Sequence, residues 1–194
     1  MLDSCLKYLC ERMNQSINAT FELSDNLIVV ACPSNNNKED VNSNENKVLI
    51  FISGIEKDPF SKNSNRGAYP TQQKTAMTSK PLYLAISVVV AANFTATNYS
   101  DGLKILSHLL AFCNRNPLFT RQNSPDLPEF VEQIGLEMET LSEGELSHMW
   151  SMLGSNYLPS CVYQVRIVIP DSDTLLRQAG QLNLVKSNLV KEDK

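Results

Sequence analysis

The first stretch of the chain repeats apolar residues at the spacing of a helix. Because 3.6 residues complete a helical turn, these positions fall on one side of the segment and polar residues on the other. The pattern predicts an amphipathic helix that buries one face. The apolar positions are Leu2, Cys5, Leu6, Leu9, Cys10, Met13 and Ile17.

Two short apolar runs, Asn26–Cys32 and Lys47–Ile52, flank an asparagine-rich segment. Their β-branched residues favour strands, whereas Pro33–Asn46 has the composition of a solvated loop. We therefore predict a hairpin with a long loop. A second polar segment, Ile55–Lys80, is expected to be mobile or to order only against a partner.

The segment Leu82–Ala92 is apolar on both faces of a strand, which is typical of the middle of a covered sheet. A helix is predicted after it, with Asn98 as N-cap and Asp101 in a position like that of a capping box. Asn116-Pro117 ends that helix. Its predicted buried stripe is Tyr99, Leu103, Leu106, Leu110 and Cys113.

The second half of the chain alternates loop, strand and helix. Leu118–Pro128 is predicted to be a loop, and apolar residues at Ile134, Leu136 and Met138 indicate a half-exposed strand. Ser142 and Glu145 then form a capping box sequence. The helix that follows turns Leu146, Met149, Trp150 and Leu153 inward and ends on Gly154, and Cys161–Ile169 alternates as a last strand.

These elements predict an α/β (α+β) fold, a single sheet of about four to six strands flanked by helices. We assign residues 1–170 to this domain. Residues 171–194 form a C-terminal extension with apolar residues at roughly helical spacing. A segment of that length does not bury its own apolar face, so it is expected to dock, as a helix or an arm, on the domain or on a neighbour.

Composition narrows the class of protein. A formal net charge of −4 and a pI near 5.2 argue against broad nucleic-acid binding, which needs phosphate-neutralising lysines and arginines. The longest apolar run is far shorter than the roughly 20 residues of a membrane helix, and the N-terminus does not resemble a signal peptide. Five widely spaced cysteines are expected to be reduced, buried thiols of a cytosolic protein.

Residues suited to catalysis are few and scattered. His108 and Cys113 are five residues apart and fall on different helix faces. His108 and His148 each lie in a predicted amphipathic helix, where a surface or boundary position is the ordinary role. Glu137 and Glu139 share one strand face, where solvation is the ordinary role. No zinc spacing or glycine-rich phosphate loop occurs, and Arg121 near Leu127–Glu129 is only weakly suggestive of an anion site. We predict no catalytic, cofactor-binding or metal-binding residues.

Several phrases in Pro81–Asp171 resemble one family, the terminator or cap proteins of extracellular contractile injection systems of the antifeeding-prophage and virulence-cassette type. Their order and spacing carry the resemblance, which covers roughly the second half of the chain. The phrases are Pro81–Leu84, Ala91–Phe94, Asn98–Leu103, Asn116–Pro125, Leu141–Glu143, Met149–Gly154, Tyr157–Ser160 and Tyr163–Arg166. The asparagine-rich loop and the tail depart from the family pattern.

The resemblance implies a tail-terminator-like domain that acts without catalysis. Such subunits form a hexameric ring that closes the baseplate-distal end of the inner tube and contacts the last sheath ring. The implied partners are further copies of this chain, the inner tube protein and the sheath protein, with no nucleic acid and no insertion into a membrane. Assembly would take place in the cytoplasm, and the subunit would remain in the injection particle.

Three regions are candidates for the assembly contacts. They are the polar segment before the central strand, the loop after the second helix, and the tail. The candidate residues are Arg66, Tyr69, Arg121, Gln122, Asn123, Leu175, Leu176, Leu182 and Leu189.

Two other functions remain open at this point. The first is a baseplate or adaptor component of the same kind of machine. The second is a small cytosolic enzyme with Cys113 or Cys161 as its nucleophile, which would require a thiol of lowered pKa.

Overall fold

A computed structural model describes residues 1–22, 25–33, 44–58 and 82–169 of the chain. Within these ranges one mixed sheet of six strands carries three α-helices, so the predicted fold class is confirmed. The strands are β1 (Ile28–Val30), β2 (Lys47–Lys57), β3 (Leu82–Asn93), β4 (Leu118–Thr120), β5 (Gln133–Glu139) and β6 (Ser160–Ile169). The helices are α1 (Leu2–Phe21), α2 (Tyr99–Arg115) and α3 (Glu143–Leu153), with a 3-10 turn at Ala96–Asn98.

The strand order is β1-β2-β3-β6-β5-β4, and β3 lies inside the sheet as predicted. Val89 and Val90 of β3 are both buried, one on each face, which explains why this strand is apolar throughout. The predicted hairpin is wrong, because β1 pairs with β2 in parallel. Parallel neighbours need a crossover of a dozen or more residues, and the long connection between these strands provides that length.

α1 and α2 cover one face of the sheet and form the larger core. α1 buries the predicted apolar face, with Ile17 completely enclosed. Asn14 belongs to this buried face although it is polar. Its side chain accepts a hydrogen bond from the backbone N–H of Ile28 and donates one to its carbonyl oxygen, each 2.9 Å long. These bonds attach α1 to the outermost strand.

α2 is rotated relative to the predicted stripe. Tyr99 and Leu103 are 47% and 38% exposed, and Gly102 is buried instead. A Cβ atom on Gly102 would lie 2.7 Å from ring atoms of Phe94, so this position has room only for glycine. That close approach turns the helix, and the apolar side chains facing the core are Ile105, Leu106, Leu109, Phe112 and Cys113.

Asn98 is the N-cap residue of α2 as predicted, but it does not cap the helix through its side chain. The Asn98 side chain makes no capping hydrogen bond; its amide nitrogen donates to Oδ1 of Asn46 at 3.2 Å. Asp101 forms an exposed ion pair with Lys104 at 2.8 Å instead of closing a capping box. Asn46 has a φ of 57° and also accepts from the backbone N–H of Thr95, which joins the start of β2 to the end of β3.

α3 covers part of the opposite face, where Trp150 is the main buried side chain. The capping box is confirmed, since Ser142 and Glu145 make both reciprocal bonds, and Gly154 ends the helix in the left-handed region at φ 64°. The predicted inward residues Leu146, Met149 and Leu153 pack around the same cluster.

Three features of the strands differ from the prediction. The predicted loop Leu118–Pro128 begins with strand β4, because Phe119 inserts into the core opposite Ile134. β2 continues to Lys57 past an irregularity at Ser53, since β3 is long enough to pair with it throughout. Met138 is 59% exposed, because it lies beyond the part of β5 that pairs with β4.

Candidate interaction surfaces

Arg121, Gln122 and Asn123 lie together on an exposed turn directly after β4. Asn123 maintains the turn: its Oδ1 accepts from the N–H of Thr120 at 2.8 Å, and its amide nitrogen donates to the Leu118 carbonyl at 2.9 Å. The turn is therefore pre-formed. The predicted residues Arg66, Tyr69, Leu175, Leu176, Leu182 and Leu189 lie outside the described residues.

The guanidinium group of Arg121 points back to its own chain. It donates to the carbonyl oxygens of Pro128 and Glu129 and thereby joins the two ends of the loop. A guanidinium bound to backbone carbonyls positions the loop and has fewer donors left for an external anion. Arg121 and Asn123 both form hydrogen bonds to backbone groups of the loop. Gln122, between them, is exposed and forms no such bond to the described residues.

The thiols proposed as nucleophiles are buried and point into the core. The hydroxyl of Tyr163 is hydrogen-bonded to both Cys113 and Cys161, and burial raises the pKa of these thiols to about 11 and about 12. Thiols with such pKa values are protonated at neutral pH, whereas the thiolate is the nucleophilic form.

His108 does not supply the missing base. Its Nε2 lies 3.0 Å from Oγ of Ser16 and its ring meets Phe21 edge-on, so it joins α2 to α1. The geometry therefore gives no support to a cysteine-dependent enzyme. Within the described ranges no group of three or more His, Cys, Asp or Glu side chains is placed to hold a metal ion.

A cleft of about 560 Å³ opens between α3 and the uncovered part of the sheet. It is lined by residues of β2, β3, β5, β6 and α3. The apolar side chains come mainly from α3 and the turn before it, whereas the sheet contributes mostly small polar and acidic residues. The lining residues are Ser53, Gly54, Glu56, Ser87, Glu139, Leu141, Glu145, His148, Met149, Met152, Leu153 and Val162. The volume lies in the range of ordinary ligand and peptide pockets, roughly 300–1,000 Å³.

The cleft exists because α3 is short. The helix packs over Val162, Leu49 and Val89, and the sheet continues beyond it with polar residues on the same face. One of these polar residues, Arg166, pairs with Glu137 across strands at 3.0 Å. Sequence reasoning assigned Glu139 only to a wet strand face. The sequence feature that could have indicated the cleft is the pair Met149 and Met152 on α3, because both line the cleft together with Glu139.

Comparison with known proteins adds the decisive observation for the family. A family profile described as the Pvc16 N-terminal domain matches residues 6–181, which is most of the chain. The chain belongs to the Pvc16 N-terminal domain family. This confirms the terminator and cap resemblance that the sequence phrases indicated, and it extends the match from the second half to the N-terminal helix.

Two solved structures are similar to this family member, and the first shares its fold. The sheath/tube terminator of the extracellular contractile injection system PVC, in its extended state, matches with a TM-score of 0.52 at 15% identity over 93% of this chain and 62% of that chain. The tube-terminating cap of the anti-feeding prophage matches with a TM-score of 0.45 at 14% identity over 93% of this chain and 58% of that chain. This chain thus spans about 60% of the length of both. No curated protein sequence matches it.

Proposed function

We propose that this chain is a structural subunit that terminates the inner tube of a contractile injection system. Membership of the Pvc16 N-terminal domain family over residues 6–181 is the observation that carries the proposal. The likeness to the PVC terminator supports the same fold. The subunit acts by shape and association and carries out no catalysis; the raised pKa values of its buried thiols agree with this role.

The proposed assembly is a hexameric ring at the baseplate-distal end of the tube, in contact with the last ring of the sheath. In a ring, each copy presents two different surfaces, one to each neighbour, and the ring closes when the rotation between copies is right. One face of the ring would match the last tube ring, and the other would offer no surface on which the tube grows further.

The candidate contacts are distributed over three regions. The turn at Arg121, Gln122 and Asn123 is exposed and already ordered by hydrogen bonds, so binding a partner there would cost little conformational entropy. Arg66 and Tyr69, in the polar segment before β3, and the tail leucines are the other proposed contacts. Assembly would take place in the cytoplasm, with the subunit remaining in the finished particle. In the described ranges no helix is both long and apolar enough to cross a membrane.

Deleting the subunit from an assembling particle tests the proposal directly. Tubes that exceed their normal length, or particles that lack a closed distal end, are the expected result in electron micrographs. Labelling the subunit should place it at the end opposite the baseplate. A label at the baseplate would instead support a baseplate or adaptor component.

The native mass of the purified chain tests the ring. A species near six times 21.7 kDa is expected, either free or on isolated tubes. Gln122→Arg introduces charge and bulk on the proposed contact turn without removing a turn hydrogen bond, and we expect it to lower ring formation. Lys104→Gln is the matched control, because Lys104 is an exposed residue of α2 whose ion pair with Asp101 is solvated. Equal ring formation in both variants would remove the turn from the interface.

A further inference from the structure

The cleft between α3 and the sheet has two unlike walls. On the helix side, Met149 and Leu153 are half-buried and Met152 is 75% exposed. Methionine side chains are unbranched and flexible, so this wall adapts to apolar side chains of different shapes. On the sheet side, Gly54 and Ser87 are small, which allows a main chain to come close to the strands. The cleft therefore suits a segment with one apolar and one polar side.

The charge of the lining is negative. Glu56 on β2 and Glu139 on β5 form no ion pair with any other described residue. Glu145 on α3 adds a third carboxylate, whose pKa is lowered by hydrogen bonds from the backbone and the side chain of Ser142. His148 is the other titratable residue of the lining, and lysine and arginine are absent from it among the described residues. A segment that matches this cleft therefore carries positive charge.

Arg166 lies on the same face of the sheet but does not cancel this charge. The strand register places it level with Glu56, with Ala85 of β3 between them. Its guanidinium group pairs with the carboxylate of Glu137 at 3.0 Å. Neither residue of this pair lines the cleft, so the carboxylates of the lining remain unbalanced.

Strand pairing gives the separation of the two carboxylates on the sheet. Glu139 is opposite Val162, which is opposite Val89, whereas Glu56 is opposite Ala85, four residues before Val89. The two acidic residues are thus three strands and four residues apart. At about 4.8 Å per strand and about 3.3 Å per residue, their Cα atoms are roughly 19 Å apart.

An extended segment of about seven residues spans this separation, since six steps of about 3.3 Å cover roughly 20 Å. Its first and last side chains point to the same side, because alternate residues of an extended chain share a face. The residues at the second, fourth and sixth positions then point to the opposite side. A segment that alternates polar and apolar residues can therefore face both walls at once.

We propose that the cleft binds an extended segment of a partner protein in which apolar and polar residues alternate and a lysine or arginine stands at each end of about seven residues. Its apolar side chains lie against Met149, Met152 and Leu153 of α3, and its two cations pair with Glu56 and Glu139. This binding site goes beyond the proposed capping function and does not depend on it.

A synthetic peptide tests the site on the full-length protein. It has lysine at both ends, leucine at the second, fourth and sixth positions, serine at the third and fifth, blocked termini and a fluorescent label. The matched probe has glutamate in place of both lysines. Fluorescence anisotropy should show saturable binding of the lysine peptide, about tenfold or more tighter than that of the glutamate peptide. Binding should weaken as salt rises from about 50 to about 500 mM, because exposed charges are screened.

Neutral variants of the carboxylates test the proposed ion pairs. Glu56→Gln with Glu139→Gln should weaken binding of the lysine peptide about tenfold, since two partly exposed ion pairs are lost. Glu11→Gln with Glu129→Gln is the matched control, because both residues are exposed and lie outside the lining, and it should bind like the unchanged protein. Failure of the lysine peptide to bind, or equal affinities of the two double variants, overturns the proposal.

The methionines test the apolar wall independently of charge. Met152→Gln should weaken binding about fivefold, whereas Met138→Gln should not, because Met138 is 59% exposed but lies outside the cleft. In the protein labelled with ¹³C at its methionine methyl groups, the NMR signals of Met149 and Met152 should shift on addition of the peptide. Unchanged signals of both, or a shift as large at Met138, place the peptide elsewhere and overturn the proposal.

Discussion

Replacing Asn14 by alanine should destabilise the domain strongly, although the substitution improves the intrinsic helix propensity of α1. Asn14 is 5% exposed, and its side chain bonds to both backbone groups of Ile28, which is itself 1% exposed. The substitution leaves the N–H of Ile28 without its partner. The carbonyl oxygen of Ile28 keeps only the thiol of Cys10, at 3.2 Å.

The expected loss follows from these contacts. A buried backbone group left without a partner costs about 1–3 kcal/mol, and the second group here is only partly compensated. Two groups give about 2–4 kcal/mol, and the better helix propensity of alanine returns about 0.5 kcal/mol. The free energy of unfolding should therefore fall by about 2–3 kcal/mol. With a urea slope of about 2 kcal/mol/M, the midpoint should shift by about 1–1.5 M.

Urea denaturation followed by circular dichroism measures this, and α1 contains its own control. The Oδ1 atom of Asn18 is buried without a hydrogen-bond partner among the described residues. Asn18→Ala makes the same change one helical turn away and removes an unsatisfied polar atom, so stability should stay the same or rise. If the two variants lose stability equally, the bonds from Asn14 to Ile28 do not have the importance assigned to them.

Three further predictions follow from local geometry. Gly102→Ala should lower the free energy of unfolding by about 1–3 kcal/mol, because the new Cβ would overlap the ring of Phe94. Gly144→Ala in α3 should raise it by about 0.5–1 kcal/mol, since nothing lies within 4 Å of that position. Thermal melting compares the two variants. Ser142→Ala should cost about 1 kcal/mol in the same assay through loss of the N-cap. A thiol reagent at pH 8 should modify Cys32 alone in the native protein and all five cysteines after denaturation; rapid reaction of a second native thiol would contradict the raised pKa values of the buried cysteines.

Local patterns in the sequence determined the elements that can be recognised from their own residues. The helical period of Leu2–Ile17, the apolar run of β3 and the alternation of β6 each predicted the observed element. The capping box of Ser142 and Glu145 was equally readable, because both of its partners lie within four residues. Family membership was also readable, since it depends on the order of short phrases.

Tertiary contacts decided what these patterns left undetermined. β1 runs parallel to β2, and side-chain bonds from Asn14, on a distant helix, hold its outer edge; no local signal encodes that direction. The rotation of α2 depends on the close approach of Gly102 to Phe94, which hydrophobic periodicity does not record. The cleft arises where α3 ends short of the sheet edge and brings carboxylates from separate elements together. Side chains far apart in the sequence meet only once the chain is packed, so sequence periodicity alone did not reveal this surface.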